Sequence, residues 1–202
     1  MLRTGIYGGS FNPIHKGHIH IAQAALQSGL VDELWLIVSP QNPFKINDEL
    51  LDDRLRLRLA QTAVKNIAKV EVSDIEFNLP KPSFTYNTLQ ELRKKYPDRE
   101  FTLVIGADNW ASFPKWYKAR TILQSTPIII YPRKDVSIDG KNLPASVTPL
   151  SMPLYDISST QIRTKLKEGK DVSAYLDPEV ETELKAFLSR QQRRQKYPPF
   201  GL

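Results

Sequence analysis

Short, nearly unbroken apolar runs alternate along the chain with longer stretches in which apolar residues recur every three or four positions. Leu2–Tyr7, Leu34–Ser39 (LWLIVS), Phe101–Gly106 (FTLVIG) and Pro127–Tyr131 (PIIIY) are of the first kind and predict strands buried on both faces, with Val70–Val72 as a short fifth. The second kind predicts helices over Gly17–Ser28, Asp52–Asn66, Tyr86–Tyr96, Ser159–Glu168 and Pro178–Gln192. In the second of these, Leu55 and Leu59 form the inward stripe and Arg54, Arg56 and Arg58 read as a solvated face. The alternation of strand and helix predicts an α/β fold, a single doubly wound, mainly parallel sheet with helices on both faces and a helical C-terminal segment. Such sheets bind ligands at the carboxyl ends of their strands, so the segments just behind the apolar runs are where chemistry is expected.

Composition narrows the class. With 202 residues, 41% hydrophobic and 25% charged, the chain has the make-up of one ordinary globular domain, read as 1–189, followed by a basic tail over 190–202 that is expected to be flexible. The absence of cysteine excludes disulfides, thiolate catalysis and cysteine-based metal sites. No leader segment or membrane-length apolar run is evident, and a cytoplasmic location with no membrane partner is expected. The net charge of +6 looks like a nucleic-acid signal until it is located: Arg190, Arg193, Arg194 and Lys196 supply most of it, in a tail without acids. No nucleic-acid partner is therefore expected, and an RNA-binding or tRNA-related module stays as the alternative from a different class.

All three histidines lie in the segment GGSFNPIHKGHIH, Gly8 to His20, directly behind the first strand. Strand, glycine loop and helix N-terminus together make an anion seat. Unpaired N–H groups of the first helical turn face whatever lies in front of them, the helix dipole favours negative charge there, and Gly8 and Gly9 let a phosphate approach the main chain. His15 and His18 stand three apart on one face, placed to donate hydrogen bonds to phosphate oxygens and able to become cationic beside a polyanion. His20 points elsewhere and reads as structural. A zinc site lacks cysteine, H-E-x-x-H and any carboxylate in the segment.

Four further segments carry candidate chemistry. Pro40-Gln41-Asn42-Pro43-Phe44-Lys45 is a proline-stiffened loop presenting one lysine, and Thr85 in the stretch Pro82–Leu89 is placed to N-cap a helix. Gly106-Ala107-Asp108 closes a buried strand, where small residues admit a ligand and the carboxylate can accept hydrogen bonds from ribose hydroxyls. Trp116, a little further on, is either core or an aromatic plane for a flat ring. Late in the chain, Asp156-Ile157-Ser158-Ser159-Thr160-Gln161-Ile162-Arg163 opens a helix with serines that cap it and, with Arg163 one turn on, forms a second phosphate seat.

His15-Lys16-Gly17-His18 resembles the H-x-G-H signature of the nucleotidylyltransferase superfamily, which also includes the class I aminoacyl-tRNA synthetases, and the serine-rich segment resembles its I-S-S-T-x-I-R motif. The prefix Gly8–Ile14, the Ser83–Leu89 stretch and the pattern G-A-D…W-Y (Gly106 to Asp108, Trp116, Tyr117) are closest to bacterial nicotinate mononucleotide adenylyltransferases. Phe44 stands where that family usually has histidine, Phe84 where it has tyrosine and Asn87 where it has aspartate.

The resemblance implies a Rossmann-like fold and transfer of the adenylyl group of ATP to nicotinate mononucleotide, giving deamido-NAD and pyrophosphate in NAD biosynthesis. It implies His15, His18, Lys45 and Arg163 as catalytic residues. Gly8, Gly9, Ser10, Phe11, Gly17, Gly106, Asp108, Ile157, Ser158 and Ser159 would bind ATP; Thr85, Asp108, Trp116 and Tyr117 would bind the mononucleotide. It implies Mg²⁺ as cofactor, carried by phosphates and water without a protein metal site, and is compatible with a homo-oligomer. Nicotinamide mononucleotide and phosphopantetheine are the alternative acceptors.

Overall fold

The structure is a computed structural model that describes residues 1–41, 50–134, 136–140 and 142–196, with side chains to residue 193. The six strands are β1 (Leu2–Gly9), β2 (Glu33–Val38), β3 (Val70–Ser73), β4 (Arg99–Gly106), β5 (Ile128–Tyr131) and β6 (Val147–Pro149). They form one sheet in the order β3-β2-β1-β4-β5-β6, every neighbouring pair parallel. The helices are α1 (Lys16–Gln27), α2 (Asp53–Val64), α3 (Thr85–Lys95), α4 (Ala107–Ser112), α5 (Ala119–Ser125), α6 (Ser159–Lys167) and α7 (Pro178–Lys196). Two 3₁₀ turns, Ile75–Asn78 and Phe113–Lys115, complete the element list. The predicted doubly wound α/β architecture is what the chain adopts.

The central strands are buried over most of their length because both faces are covered. Tyr7, Leu34, Leu36, Val38, Val104 and Ile129 pack in one core with α1, α2, α6 and α7, whereas Ile6, Trp35, Ile37, Leu103, Ile105 and Ile128 pack in a second core with α3 and α5. Successive strand residues thus enter opposite cores, as the pleat demands. The chain reverses its order across the sheet between β1 and β4, and that break opens a crevice at their carboxyl ends, where Gly8 and Gly9 on one strand stand beside Gly106 on the other.

Several local expectations need correction. The β1 strand runs on through Gly8 and Gly9, so both glycines belong to the strand end and the loop begins behind them. The first helix starts at Lys16 with His15 as its N-cap. Phe84, not Thr85, is the N-cap of α3, with Thr85 as the first helical residue. The C-terminal helix continues to Lys196, beyond the predicted end at Gln192. The short elements α4, α5 and β6 were not predicted; none is long enough to display a hydrophobic period.

Arg56 is the largest departure. The helix presents Leu55 and Leu59 to the core as predicted, yet Arg56 between them is fully buried. Its guanidinium donates to the carbonyl of Ser10 behind β1, to that of Ser39 behind β2 (2.9 Å) and to the Asp53 carboxylate (2.6 Å), while Nε donates to the Leu51 carbonyl (3.1 Å). A charge can be buried when each of its donors finds an acceptor. Here the acceptors are the loop carbonyls at the end of β1 and β2, so Arg56 fastens the floor of the crevice.

Candidate active site

Two cavities open at the crevice, and Tyr7, Gly8, Asn109 and Tyr131 line both. The first, about 200 Å³, gathers Gly8, Gly9, Ser10, Phe11, His15, His18, Asp108, Ile157, Ser158, Ser159 and Arg163. The second, about 240 Å³, has Thr85, Trp116 and Tyr117 in its wall. Residues predicted from five separate chain segments therefore fall around one crevice. Asp108, implied for both substrates, lines the first cavity and not the second. Lys45 and its neighbour Phe44 lie outside the described residues.

In the first cavity, α1 ends in a pair of stacked imidazoles. The rings of His15 and His18 lie 3.7 Å apart, and the His15 backbone N–H donates to His18 Nδ1 at 3.2 Å. An amide can only donate, so His18 is a neutral ring whose Nε2 carries the proton. His15 is buried, and desolvation together with the nearby Arg133 charge lowers its pKa from 6.5 to about 3. Burial and the Arg133 charge thus hold His15 as a neutral ring.

Gly17 suits this pairing, since a Cβ there would lie 3.0 Å from His15 Nδ1 and would press on the ring. Lys16 turns away from the cavity, donating from Nζ to the Ser173 and Ala174 carbonyls at 3.1 and 3.2 Å. His20 stacks on Tyr155 at 4.1 Å, in keeping with a structural role.

The strand ends supply the rest of this wall. A Cβ on Gly9 would meet the Phe11 ring at 3.0 Å, whereas one on Gly8 would meet nothing within 4 Å, so Gly8 leaves its backbone open to the cavity. At Gly106 a Cβ would come within 2.3 Å of Asp108 Oδ1, which shows how closely the carboxylate folds back over the end of β4. Facing α1 is the N-terminus of α6. Ser158 caps it, accepting from the Gln161 N–H at 3.2 Å while Gln161 Oε1 accepts from the Ser158 N–H at 3.0 Å. Ser159 Oγ donates to the Pro13 carbonyl (2.9 Å) and Arg163 to the Asn12 carbonyl (2.9 Å), so the second anion seat is docked onto the loop that precedes the first. Two helix N-termini and Arg163 converge on one space.

Arg133, two residues past β5, was missed. It lines the first cavity, sits 3.5 Å from the Asp108 carboxylate, lies over the Tyr131 ring at 5.1 Å and donates to the Tyr131 hydroxyl at 3.3 Å. Its position just behind a buried parallel strand was the available signal. Among the described residues, no group of three His, Cys, Asp or Glu side chains could hold a metal ion.

The second cavity is built from rings. Trp116 is partly buried and packs on Phe113 at 5.3 Å; it is thus attached to the core and also forms cavity wall. Tyr117 is exposed, with Phe84 at 5.2 Å and Tyr86 at 5.8 Å. Phe84 keeps a ring in this wall where the family has tyrosine. Glu76, Ser39 and Ser83, which sequence reading did not single out, form its polar side.

The sequence profile described as cytidylyltransferase-like matches residues 6–165. The chain is 45% identical over 178 residues to a Bacteroides fragilis protein named "Probable nicotinate-nucleotide adenylyltransferase", covering 88% of this chain and 89% of the relative. A Bacteroides thetaiotaomicron protein of the same name is 43% identical over 187 residues, 93% of each chain. In fold it is similar to Plasmodium falciparum nicotinic acid mononucleotide adenylyltransferase complexed with NaAD, with a TM-score of 0.79 at 20% identity over 93% of this chain and 96% of that one. The family profile spans the strands and helix ends that build the crevice, and the chain belongs to the nicotinate-nucleotide adenylyltransferase family of cytidylyltransferase-like proteins.

Proposed function

We propose that the crevice joins two substrates: the triphosphate of ATP in the first cavity and nicotinate mononucleotide in the second. The chain is a nucleotidyltransferase that transfers the adenylyl group of ATP to nicotinate mononucleotide, yielding deamido-NAD and pyrophosphate, a step of NAD biosynthesis. The observation that carries this reading is the shared wall of the two cavities, because a donor-rich space and a ring-lined space meet where an α-phosphorus and an attacking phosphate would have to meet.

An oxygen of the mononucleotide 5′-phosphate attacks the α-phosphorus in line, a P–O bond forms, and the bond to the β-bridging oxygen breaks with its electrons leaving on pyrophosphate. His18 donates its Nε2–H to the phosphate oxygens on which charge grows, and neutral His15 fixes it by stacking. Arg163 and the α6 N-terminus hold the leaving pyrophosphate, with Arg133 adding positive charge in the same cavity. Gly8, Gly9, Ser10 and Phe11 let the triphosphate lie along the end of β1, and Gly17, Gly106, Ile157, Ser158 and Ser159 shape its surroundings; Asp108 takes ribose hydroxyls on this side. Thr85, Trp116 and Tyr117 hold the acceptor, its pyridine ring stacked on Trp116. Lys45 is proposed for the same phosphates from its sequence position. Mg²⁺, when bound, neutralises triphosphate charge, and no described side chain is assigned to it.

The test is pyrophosphate release from ATP and Mg²⁺ with a panel of acceptors. Nicotinate mononucleotide is expected to be the fastest, ahead of nicotinamide mononucleotide, and an equal or better rate with phosphopantetheine would overturn the assignment. The same assay on a chain ending at Ser189 is expected to retain turnover, which places the basic segment 190–202 outside the chemistry; loss of turnover would reject that placement.

A further inference from the structure

Only two charged side chains line the ring-walled cavity among the described residues, Lys115 and Glu76. Glu76 lies in the 3₁₀ turn after β3 and is 4% exposed. Thr88 Oγ1, on the first turns of α3, donates to Glu76 Oε1 at 2.7 Å, while Oε2 is buried without a hydrogen bond. Ser39 and Ser83 place their hydroxyls beside the same carboxyl, from the end of β2 and the loop ahead of α3. A buried acid with one oxygen unused is costly, and nothing in the adenylyl transfer derived above employs it.

We propose that Glu76 is a specificity-determining residue of the acceptor cavity, whose carboxylate is the counter-charge for the cationic pyridinium ring of a pyridine mononucleotide. The proposal rests on assigning that cavity to the mononucleotide. An N-ribosylated pyridine carries a permanent positive charge at the ring nitrogen. Stacked on Trp116 it gains cation–π attraction, and a buried carboxylate in the wall of the same cavity attracts it without having to touch it.

Burial pushes the Glu76 pKa up in the empty cavity, whereas a ring cation works in the opposite sense. The hydroxyls of Ser39, Ser83 and Thr88 also favour the ionised form, and Lys115 is the other charged group on the cavity wall. Glu76 so placed reads the feature that nicotinate and nicotinamide mononucleotides share and phosphopantetheine lacks.

Two probes separate ring charge from everything else: 1-methylpyridinium-3-carboxylate and benzoate, which have the same carboxylate with and without the ring cation. Their affinities are measured by calorimetry on the wild-type chain, Glu76→Gln and Thr88→Val, alongside turnover with nicotinate mononucleotide. Glu76→Gln keeps an oxygen for Thr88 and removes the charge. It is expected to reduce the preference for the cationic probe about tenfold and to raise KM for nicotinate mononucleotide about as much, with KM for ATP changed by less than about twofold. Thr88→Val removes the tie and leaves the carboxylate, and is expected to keep the cation preference. An unchanged preference in Glu76→Gln, or an equal loss in Thr88→Val, would reduce Glu76 to a structural tether. If wild-type enzyme discriminates the probes but does not turn over nicotinate mononucleotide, the cavity assignment fails instead.

Discussion

The two cavities share a wall but differ in what builds them. The nucleotide side is made of main chain and rigidly held donors: strand ends at Gly8 and Gly9, two helix N-termini, a neutral stacked histidine pair and arginines. The acceptor side is made of rings on short elements, Trp116 behind a 3₁₀ turn and Tyr117 exposed beside it. A triphosphate presents the same charge to every enzyme that uses ATP, and backbone N–H groups suffice to hold it. A pyridine ring also has flat faces, which only side chains can stack against. The contrast predicts that damage on the first side appears in turnover and damage on the second in acceptor affinity.

The largest effect is expected from His18→Ala. Loss of the Nε2–H donor should lower kcat by about 100-fold or more, with thermal unfolding close to wild type; near-normal turnover would remove His18 from the chemistry. Arg56→Met is expected next, and it strikes stability. It leaves the carbonyls of Ser10, Ser39 and Leu51 without their donor, at a cost of about 3 kcal/mol in urea unfolding. A cost well under about 1 kcal/mol would mean that the crevice floor does not depend on it.

Trp116→Ala, on the other side, should raise KM for nicotinate mononucleotide about tenfold through lost stacking while KM for ATP stays within about twofold. A change confined to ATP would reverse the assignment of the two cavities.

At neutral pH the smallest expected effect is that of His15, and it grows on acidification. His15 holds its proton less well folded than unfolded, so between its ordinary 6.5 and about 3 the unfolded chain binds the extra proton and the folded chain does not. Stability contributed by this ring is therefore present above pH 6.5 and lost as the pH falls towards about 3. Replacing it by glutamine should flatten that part of the stability profile relative to wild type, and an identical slope in the two proteins would show that His15 does not enter it.

Much of this was legible in the chain because the physics is local. Apolar runs with turns behind them declare buried parallel strands, and Gly8, Gly9, His15, His18, Ser158 and Arg163 stand at or within a turn of strand and helix ends, where anion seats are built. The rest depends on contacts between distant segments. Arg56 sits among alternating leucines and arginines, so a helix period assigns it to solvent; only the loop carbonyls of Ser10 and Ser39 explain its burial. Glu76 is a single charged residue beside an ordinary loop, and nothing next to it in sequence says that it faces a cavity; Arg133 stands just behind a buried strand, a signal for a site but not for its pairing with Asp108. The neutrality of His15 has the same kind of origin, since the burial and the Arg133 charge that lower its pKa come from elsewhere in the fold. Thr85 was assigned to a cap by residue type, but the cap position fell one residue earlier, a shift within the usual uncertainty of helix ends.

The division into a nucleotide cavity and an acceptor cavity is tested most directly by a crystal structure holding a non-hydrolysable ATP analogue and nicotinate mononucleotide together. The triphosphate is predicted between His18 and Arg163, the pyridine ring against Trp116, and the acceptor phosphate facing the α-phosphorus beside Gly8 and Tyr131. A mononucleotide seated among the histidines, or a triphosphate in the ring-lined cavity, would contradict the account.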